Sequence, residues 1–282
     1  MSRVAIFSDG AGDIPKEIAL KYDVQQLYGA VTINGVEYTD KVNITPTEMF
    51  ELSKTTKSLP KTSAINIDSY REAFEPYLKD GYEIVVLNIS SQISMCYHNA
   101  FTASKEHNGI YVIDSLSLSS GLALLVIEAG EMVEKGYTAK QIYEELIQLR
   151  SKVHTTFVLN TLEYMAAGGR CSAVTAFGAN ILSIKPCIEM DDEGKLQVMK
   201  KYRGSLTKVL PEYINDQLTK NMNVRTDKIF ITYSSATPEI IEIARAAISE
   251  VAEFTNIYET TASCTIATHC GPLTLGILYM VE

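Results

Sequence analysis

The sequence predicts an α/β fold in two domains, with a largely parallel sheet in the amino-terminal domain. The chain has 282 residues, which is long for one domain and sufficient for two. Hydrophobic residues make up 46% of the chain and charged residues 21%, a balance that is typical of folded globular proteins. Short apolar runs alternate with helix-length segments, and this alternation predicts βαβ units around a parallel sheet.

Three strands, each followed by a helix, are predicted in the amino-terminal half. The strand and helix pairs are VAIFSD (4–9) with 14–23, EIVVLNIS (83–90) with 96–107, and IYVIDS (110–115) with 121–136. The strands end in polar pairs: Ser8-Asp9, Ser90-Ser91 and Asp114-Ser115. Ligands of open α/β sheets bind outside the carboxyl ends of the strands, so we expect these three pairs to approach one another.

A second domain is predicted to begin at residue 155, which divides the chain into 1–154 and 155–282. The second half contains a strand (227–235), a helix (238–252), a closing apolar strand (274–282) and a hairpin (188–205). The hairpin is predicted to turn at Asp191–Gly194, because Asp-Asp-Glu-Gly supplies turn formers between alternating apolar positions. No low-complexity linker is visible, so we expect close packing of the two domains.

Net charge and composition exclude several classes of protein. The formal charge is −9 and no Lys/Arg-rich run is present, which argues against a nucleic-acid partner. The amino terminus lacks the pattern of a signal peptide, and no run of 18 or more apolar residues occurs, so a cytoplasmic protein without membrane spans is expected. The five cysteines are scattered and the four histidines dispersed, so neither a disulfide framework nor a metal site is predicted. The thiols are expected to be reduced and mostly buried.

Hydroxyl side chains stand where two helices are expected to begin. Thr62 and Ser63 are predicted to lie in a loop before a helix, where hydroxyls can donate to an anion without adding charge. Ser91 and Ser94 follow a strand end and precede a helix, whose amides add partial positive charge. In both places helix capping is the competing interpretation. Asp13, beside the glycines that follow the first strand, is interpreted as a helix cap in preference to a ligand contact.

Arg170 and His269 are the two further candidates. Arg170 follows two glycines, and its guanidinium can bind a carboxylate or phosphate with two parallel hydrogen bonds. His269 stands among turn residues before the last strand. A surface ion pair and a structural histidine are the commoner fates of such residues, so neither position identifies a site by itself.

The ordered set of motifs resembles the DegV family of bacterial fatty-acid-binding proteins, which includes the binding subunits of bacterial fatty acid kinase. The resemblance covers nearly the whole chain. Its motifs are S-D-x-x-x-D-I-P (8–15), K-T-S (61–63), S-S-x-I-S-x-x-Y-x-x-A (90–100), V-I-D-S (112–115), GGRCSAVTAFGANILSIKPCIEMDDEGKLQVMKKYRGS (168–205) and HCGPLTLGILY (269–279).

The resemblance implies a DegV-like two-domain fold and a non-enzymatic lipid carrier with no catalytic residue, metal or cofactor. Its ligand would be one long-chain fatty acid, whose carboxylate a fatty acid kinase catalytic subunit phosphorylates to an acyl-phosphate for bacterial phospholipid synthesis. Transient contact with a membrane is compatible with this role. The implied carboxylate-binding residues are Thr62, Ser63, Ser91 and Ser94, with Arg170 and His269 near the head group in support of phosphotransfer.

Three departures from the family pattern add bulk near the implied pocket. The chain has Met95-Cys96 where the family usually has Gly-Thr, Ala64-Ile65-Asn66 where it has Gln-Pro-Ser, and Leu273 where it has Gly. The preferred chain length and unsaturation of the ligand therefore stay open. The apolar stretches 121–133 and 173–182 are candidates for the tunnel lining, although an ordinary core is the commoner meaning of an apolar helix face.

A serine-dependent hydrolase or transferase is the alternative function. Ser94 or Ser91, His269, and either Asp9 or Asp114 would supply a nucleophile, a base and an acid. The absence of a G-x-S-x-G motif argues against it.

Overall fold

The computed structural model describes residues 3–171, 184–220 and 223–282. In these ranges the chain forms three β-sheets with helices between and around them. The strands are β1 (Arg3–Asp9), β2 (Gln25–Leu27), β3 (Ala30–Ile33), β4 (Val36–Thr39), β5 (Lys61–Ser63), β6 (Tyr82–Asn88), β7 (Ile110–Asp114), β8 (Val153–Val158), β9 (Ile184–Met190), β10 (Leu196–Arg203), β11 (Val224–Ser234), β12 (Asn256–Thr261) and β13 (Thr274–Val281). The helices are α1 (Lys16–Lys21), α2 (Pro46–Thr56), α3 (Ile67–Lys79), α4 (Cys96–Ser104), α5 (Ser120–Glu134), α6 (Ala139–Leu149), α7 (Glu163–Gly168), α8 (Leu206–Lys220), α9 (Pro238–Val251) and α10 (Cys264–Cys270).

The first sheet is parallel throughout and has the strand order β2-β1-β6-β7. Its three longer strands are those predicted from the alternation of apolar runs and helical segments. Residues 84–87 of β6 have no exposed surface, as expected for a strand that helices cover on both faces. The predicted parallel α/β architecture of this half is confirmed.

The second sheet has the order β10-β9-β8-β13-β11-β12, and only its β11-β12 pair is parallel. The predicted hairpin is confirmed, because β9 and β10 pair antiparallel on either side of the expected turn. Asp191 Oδ1 accepts hydrogen bonds from the amides of Glu193 and Lys195. Gly194 has a φ of +80°, a value that glycine adopts without steric cost.

The third sheet, β4-β3-β5, is antiparallel and was not anticipated. A signal for it is present, since Asn34-Gly35 joins β3 and β4 with φ values of +49° and +78°, and Asn-Gly is a strong hairpin signal. The sheet corrects one expectation: Thr62 and Ser63 lie in β5, paired with β3, rather than in a loop. Backbone pairing at Ala30 and Val31 fixes their position.

Helix α5 is the centre of the molecule. Residues 120–130 of this helix are buried without exception, and the helix contacts β1 and β6 of the first sheet and β8, β11 and β13 of the second. An apolar helix of this kind is buried on all sides rather than amphipathic. The largest apolar cluster accordingly runs from Ile6 to Met280.

The sheets divide the chain near the predicted boundary, although the core does not. The first and third sheets use residues up to 114, and the second uses residues from 153 onward. The cluster around α5 contains buried side chains from both parts. The division into domains 1–154 and 155–282 therefore stays a prediction.

Asp13 links the two ends of the chain and does not cap α1. The N-cap of α1 is Pro15, without a side-chain cap, whereas the carboxylate of Asp13 accepts a hydrogen bond from the Ser263 amide at 2.7 Å. The Asp13 carbonyl accepts another from Thr260 Oγ1 at 2.9 Å. The capping interpretation is wrong, because Asp13 has a left-handed conformation with φ +48° and its side chain meets the start of α10 instead.

All five cysteines are buried, as predicted, and none forms a disulfide. Across the described ranges, no three or more His, Cys, Asp or Glu side chains are grouped so as to hold a metal ion. Nor does any helix in those ranges combine the length and apolar character needed to cross a bilayer.

Candidate functional site

A cavity of about 210 Å³ is lined by residues of all three sheets. Asp9 and Ile89 come from the carboxyl end of the first sheet, Thr62 from the third, and Phe157 and Leu278 from the second. Much of the lining is apolar, which is typical of small-molecule sites that carry a few polar groups for orientation. The three polar strand ends do approach one another, as expected. Their contacts include Asp9 Oδ2 with the Ile89 amide at 2.8 Å and Asp114 Oδ1 with the Ser91 amide at 3.1 Å.

Five of the six candidate side chains line this cavity. They are Thr62, Ser63, Ser94, Arg170 and His269. The sixth, Ser91, is half-buried and lies outside the cavity lining, with its amide turned to Asp114. The fold thus brings together side chains that are 207 residues apart in sequence, because Thr62 Oγ1 and His269 Nε2 are hydrogen bonded at 2.9 Å.

Helix α10 positions His269. The helix begins after Ser263, whose side chain accepts a hydrogen bond from the Ile266 amide. Its first two amides donate to the carboxylate of Asp40 at 2.9 and 2.7 Å. A carboxylate at a helix amino terminus satisfies amides that lack partners within the helix and interacts favourably with the helix dipole. His269 lies in the last turn, next to β5, which carries Thr62.

The imidazole of His269 is neutral near pH 7. Burial and, to a smaller extent, the nearby positive charge of Arg170 lower its pKa to about 4. Nε2 bonds Thr62, whereas Nδ1 has no hydrogen-bond partner in the described part of the chain. With the hydrogen on Nε2, the imidazole donates to Thr62 Oγ1, and the threonine hydroxyl keeps its own proton for a further acceptor.

Arg170 brings a positive charge to the site. Helix α7 ends at Gly168, and Gly169 adopts a left-handed conformation with φ +65°. Arg170 then turns back, and its Nη1 donates to the Gly168 carbonyl at 2.6 Å. Its side chain is exposed and makes no ion pair within residues 3–171, 184–220 and 223–282. It is therefore a cation that an anionic ligand can approach.

Ser94 lies two residues before α4 begins. Its Oγ accepts a hydrogen bond from the Cys96 amide at 3.2 Å, at the start of the helix. Ser94 therefore contributes to the helix start, as the capping interpretation expects, and also lines the cavity. The hydroxyl hydrogen is left to donate elsewhere. Cys96 also lines the cavity, but burial and the neighbouring Asp9 raise its pKa to about 11. That thiol stays protonated and is not an activated nucleophile.

Some of the residues at which this chain departs from the family pattern line the cavity. Met95, Cys96, Ala64 and Ile65 line it, and Leu273 does not. Leu273 has a φ of +57°, a conformation in which glycine is favoured.

The two apolar stretches that were candidates for the tunnel lining differ in what the structure says of them. The stretch 121–133 forms α5 and lies in the core, and only the preceding Leu118 and Ser119 line the cavity. The stretch 173–182 lies outside the described residues. Among the described residues, the apolar lining comes from strand positions such as Phe157 and Leu278, from loop residues such as Ile89 and Leu118, and from Met165 and Ile266 on short helices.

Asp9 is a cavity residue that was absent from the predicted carboxylate site. It is 1% exposed and ends β1. The available signal was its place at a strand end on the side where ligands bind.

The geometry does not form a serine triad within the described residues. The histidine bonds Thr62 rather than Ser94, and its Nδ1 has no carboxylate partner to orient it. A base oriented by an acid is the defining feature of such triads. Two hydroxyl groups, a neutral imidazole and one exposed guanidinium beside an apolar cavity match a carboxylate with a hydrocarbon tail better.

Comparisons with known proteins find relatives that match the whole length of this chain. The family model described as "Uncharacterised protein, DegV family" matches residues 3–282. A DegV domain-containing protein of Listeria monocytogenes is 29% identical over 287 residues, which cover 100% of both chains. Among solved structures, a DegV lipid binding protein from Thermotoga maritima is 25% identical with a TM-score of 0.86, over 99% of each chain. A DegV family protein from Thermus thermophilus, described as fatty acid binding, has a TM-score of 0.91 at 23% identity, over 99% of this chain and 100% of that one.

Proposed function

Because this chain belongs to the DegV family, whose model matches residues 3–282, we propose that it binds one long-chain fatty acid and is a carrier rather than an enzyme. The carboxylate is held by Thr62 and Ser94, with Ser63 nearby, and the tail occupies the apolar part of the cavity. The observation that carries the proposal is the pairing of Thr62 with His269 on the wall of a largely apolar cavity.

Neutral donors suit this ligand. Moving a carboxylate from water into a site without hydrogen-bond partners costs several kcal/mol, so donors must converge on it. The hydroxyl groups of Thr62 and Ser94 donate without adding charge, and the neutral His269 keeps the Thr62 hydroxyl available. Arg170 adds long-range attraction from the exposed side. The role of Ser91 stays a prediction, since its side chain would reach the ligand only after a rearrangement.

The hydrocarbon tail provides most of the affinity and the head group fixes the orientation. Burying a tail of about 16 carbons at ~0.8 kcal/mol per methylene contributes on the order of 12 kcal/mol before the cost of association. Several proteins of this fold are described as fatty acid or stearic acid binding. The same class of ligand fits the lining found here.

The carrier presents the carboxylate to a fatty acid kinase, which phosphorylates it to an acyl-phosphate for phospholipid synthesis in the cytoplasm. The exposed position of Arg170 supports this part of the proposal, because a cation beside the head group stabilises the added phosphoryl charge. His269 supports the phosphotransfer by holding Thr62. Loading from a membrane surface requires only transient contact.

Native mass spectrometry of the purified protein tests the proposal. We expect one co-purifying fatty acid per chain, and Thr62→Ala and Ser94→Ala should retain at least about tenfold less, since each loses a hydrogen bond to a charged group. Thr102→Ala is the matched control, because this hydroxyl is exposed on α4 and donates only to the His98 carbonyl. A protein that stays empty and shows no saturable binding of oleate would refute the proposal. Unchanged retention in both site variants would refute the residue assignments.

A further inference from the structure

Asp9 is a buried carboxyl group that the proposed binding mode leaves unused. Its Oδ2 accepts hydrogen bonds from the Ile89 amide at 2.8 Å and, more weakly, from Asn88 Nδ2 at 3.4 Å. Its Oδ1 has no partner in the described parts of the chain, although the residue is 1% exposed and lines the cavity. A buried carboxylate oxygen without a donor is costly, and such a group in a native protein calls for an explanation.

Among the described residues, no cation forms an ion pair with Asp9. Asp13, beyond the 3-10 turn that follows β1, contributes a second negative charge. Tyr70 on α3 accepts a hydrogen bond from Asn88, and Cys96 faces Asp9 from α4. Burial and the charge of Asp9 raise the pKa values of both groups, so they stay neutral.

The remaining titratable groups lie near Asp13 or across the cavity. Lys41 approaches Asp13 at 3.7 Å, and no ion pair of Asp9 is formed in the described ranges. On the cavity wall stand the neutral His269, the guanidinium of Arg170 and the hydroxyl of Tyr233. Burial raises the pKa of Asp9 to about 6. The bonds from Ile89 and Asn88 and the nearby Ala11 amide, whose geometry falls short of a hydrogen bond, act in the opposite direction. Near pH 7 Asp9 is therefore mainly an anion before a ligand binds.

A fatty-acid anion that enters this cavity brings a second carboxylate into a site of low dielectric. Two carboxylates that share such a site cannot both stay ionised at low cost, and one of them takes up a proton. The unpartnered Oδ1 of Asp9 is the acceptor for it. Protonation makes Asp9 neutral, which removes the repulsion between the two carboxylates and the unsatisfied acceptor at Oδ1.

We propose that Asp9 is the proton-binding residue of the lipid site, so that the cavity takes up one proton from water with each fatty-acid anion. The inference rests on the proposed function. The new O–H bond forms at Oδ1 of Asp9 and breaks on release, when the proton returns to solvent. Lipid loading is then favoured at lower pH and release at higher pH.

Calorimetric titration with decanoate, whose short tail keeps it monomeric, tests the inference. Titrations at pH 7 in two buffers with different ionisation enthalpies give the number of protons taken up. We expect more than about half a proton per bound decanoate, and an apparent Kd that weakens by up to about tenfold per pH unit above pH 6.5. Asp9→Asn should take up no proton and show a nearly flat pH profile. Decan-1-ol, which has the same tail without a charge, should cause no uptake in either protein.

Asp114→Asn is the matched control. Asp114 is also a buried carboxylate at a strand end, but it accepts hydrogen bonds from the Ser91 and Leu116 amides and does not line the cavity. This variant should take up protons like the wild type. Equal uptake by the wild type and Asp9→Asn overturns the inference while the proposed function stands. Failure of the wild type to bind either decanoate or oleate overturns the proposed function itself.

Infrared difference spectra of the wild type keep the inference testable if Asp9→Asn does not fold. Decanoate labelled with ¹³C at its carboxyl carbon shifts the bands of the ligand and leaves those of the protein in place. A protonated-carboxyl band that appears on binding and does not shift with the label supports protonation of Asp9. No such band, or one that shifts completely with the label, overturns it.

Discussion

At the scale of single residues, the site depends on close contact between two helix ends. A Cβ atom on Gly168 would lie 2.3 Å from His269 Nδ1, well inside van der Waals contact. The absence of a side chain at the end of α7 therefore lets the imidazole reach Thr62. The neighbouring Gly169 has a different role, because its φ of +65° ends the helix and no atom of the described residues lies within 4 Å of its hypothetical Cβ.

Gly168→Ala is expected to displace the His269 ring and break its hydrogen bond to Thr62. Fatty-acid affinity should fall by about tenfold, which corresponds to the loss of ~1.4 kcal/mol. Saturation binding of a fluorescent fatty acid measures the change. Gly169→Ala is the control, since it should cost about 1 kcal/mol of stability for its left-handed backbone and leave the affinity unchanged. Equal affinities in the two variants would contradict this role of Gly168.

At the scale of elements, short helices are held by side chains from distant parts of the chain. Helix α10 has seven residues, too few for a helix that is stable by itself in water. The Asp40 carboxylate, which is 1% exposed, binds its first two amides, and Asp13 binds the Ser263 amide just before them. Two acidic residues from the amino-terminal part thus fix the helix that carries His269.

Asp40→Ala is expected to destabilise the protein by about 2–3 kcal/mol, because two charge-assisted hydrogen bonds of α10 are lost. Fatty-acid retention should fall as His269 loses its support. Urea denaturation and native mass spectrometry measure the two effects. Thr138→Ala removes the capping box of α6 and should cost about 1 kcal/mol without affecting retention. A large loss of stability in Asp40→Ala with full retention would show that the position of His269 in the lipid site does not depend on this contact.

At the scale of the whole molecule, the core joins the two halves of the sequence. Helix α5 packs between the first and second sheets, and its buried Glu128 forms ion pairs with Arg225 at 2.9 Å and Lys228 at 3.1 Å. Gly121 brings this helix close to β8, since a Cβ there would lie 2.4 Å from Thr155 Oγ1. Removing one half would expose the apolar faces of the other.

The protein is therefore expected to unfold in one cooperative transition, with equal calorimetric and van't Hoff enthalpies. Glu128→Ala should lower the stability by about 1–3 kcal/mol, because Arg225 and Lys228 lose their buried partner and keep only the more exposed Asp227 and, for Lys228, Glu131. It should shift the single transition as a whole. Glu144→Ala, which removes an exposed pair with Lys140, should cost less than about 0.5 kcal/mol. Two separate transitions in differential scanning calorimetry would instead support two independently folding domains.

Local patterns in the sequence were sufficient for the strands of the first sheet and for the Asp191–Gly194 hairpin. Both depend on side chains close together in sequence: apolar runs of strand length in the first case and turn formers in the second. The third sheet was missed even though Asn34-Gly35 indicated it, because its strands have only three or four residues. Short strands carry too few alternating positions to distinguish them from loops.

The sequence by itself determined the family resemblance, the α/β class and five side chains that line the cavity. The tertiary structure alone decided that Thr62 bonds His269, that Ser91 lies outside the cavity lining and that Asp13 binds the start of α10. It also decided that Asp9 is a cavity residue with a buried carboxylate oxygen that has no partner among the described residues. The physical reason is the distance along the chain over which each effect acts. Propensity and periodicity act over a few residues, whereas a hydrogen bond across 207 positions exists only after the sheets have packed and water has left the space between them.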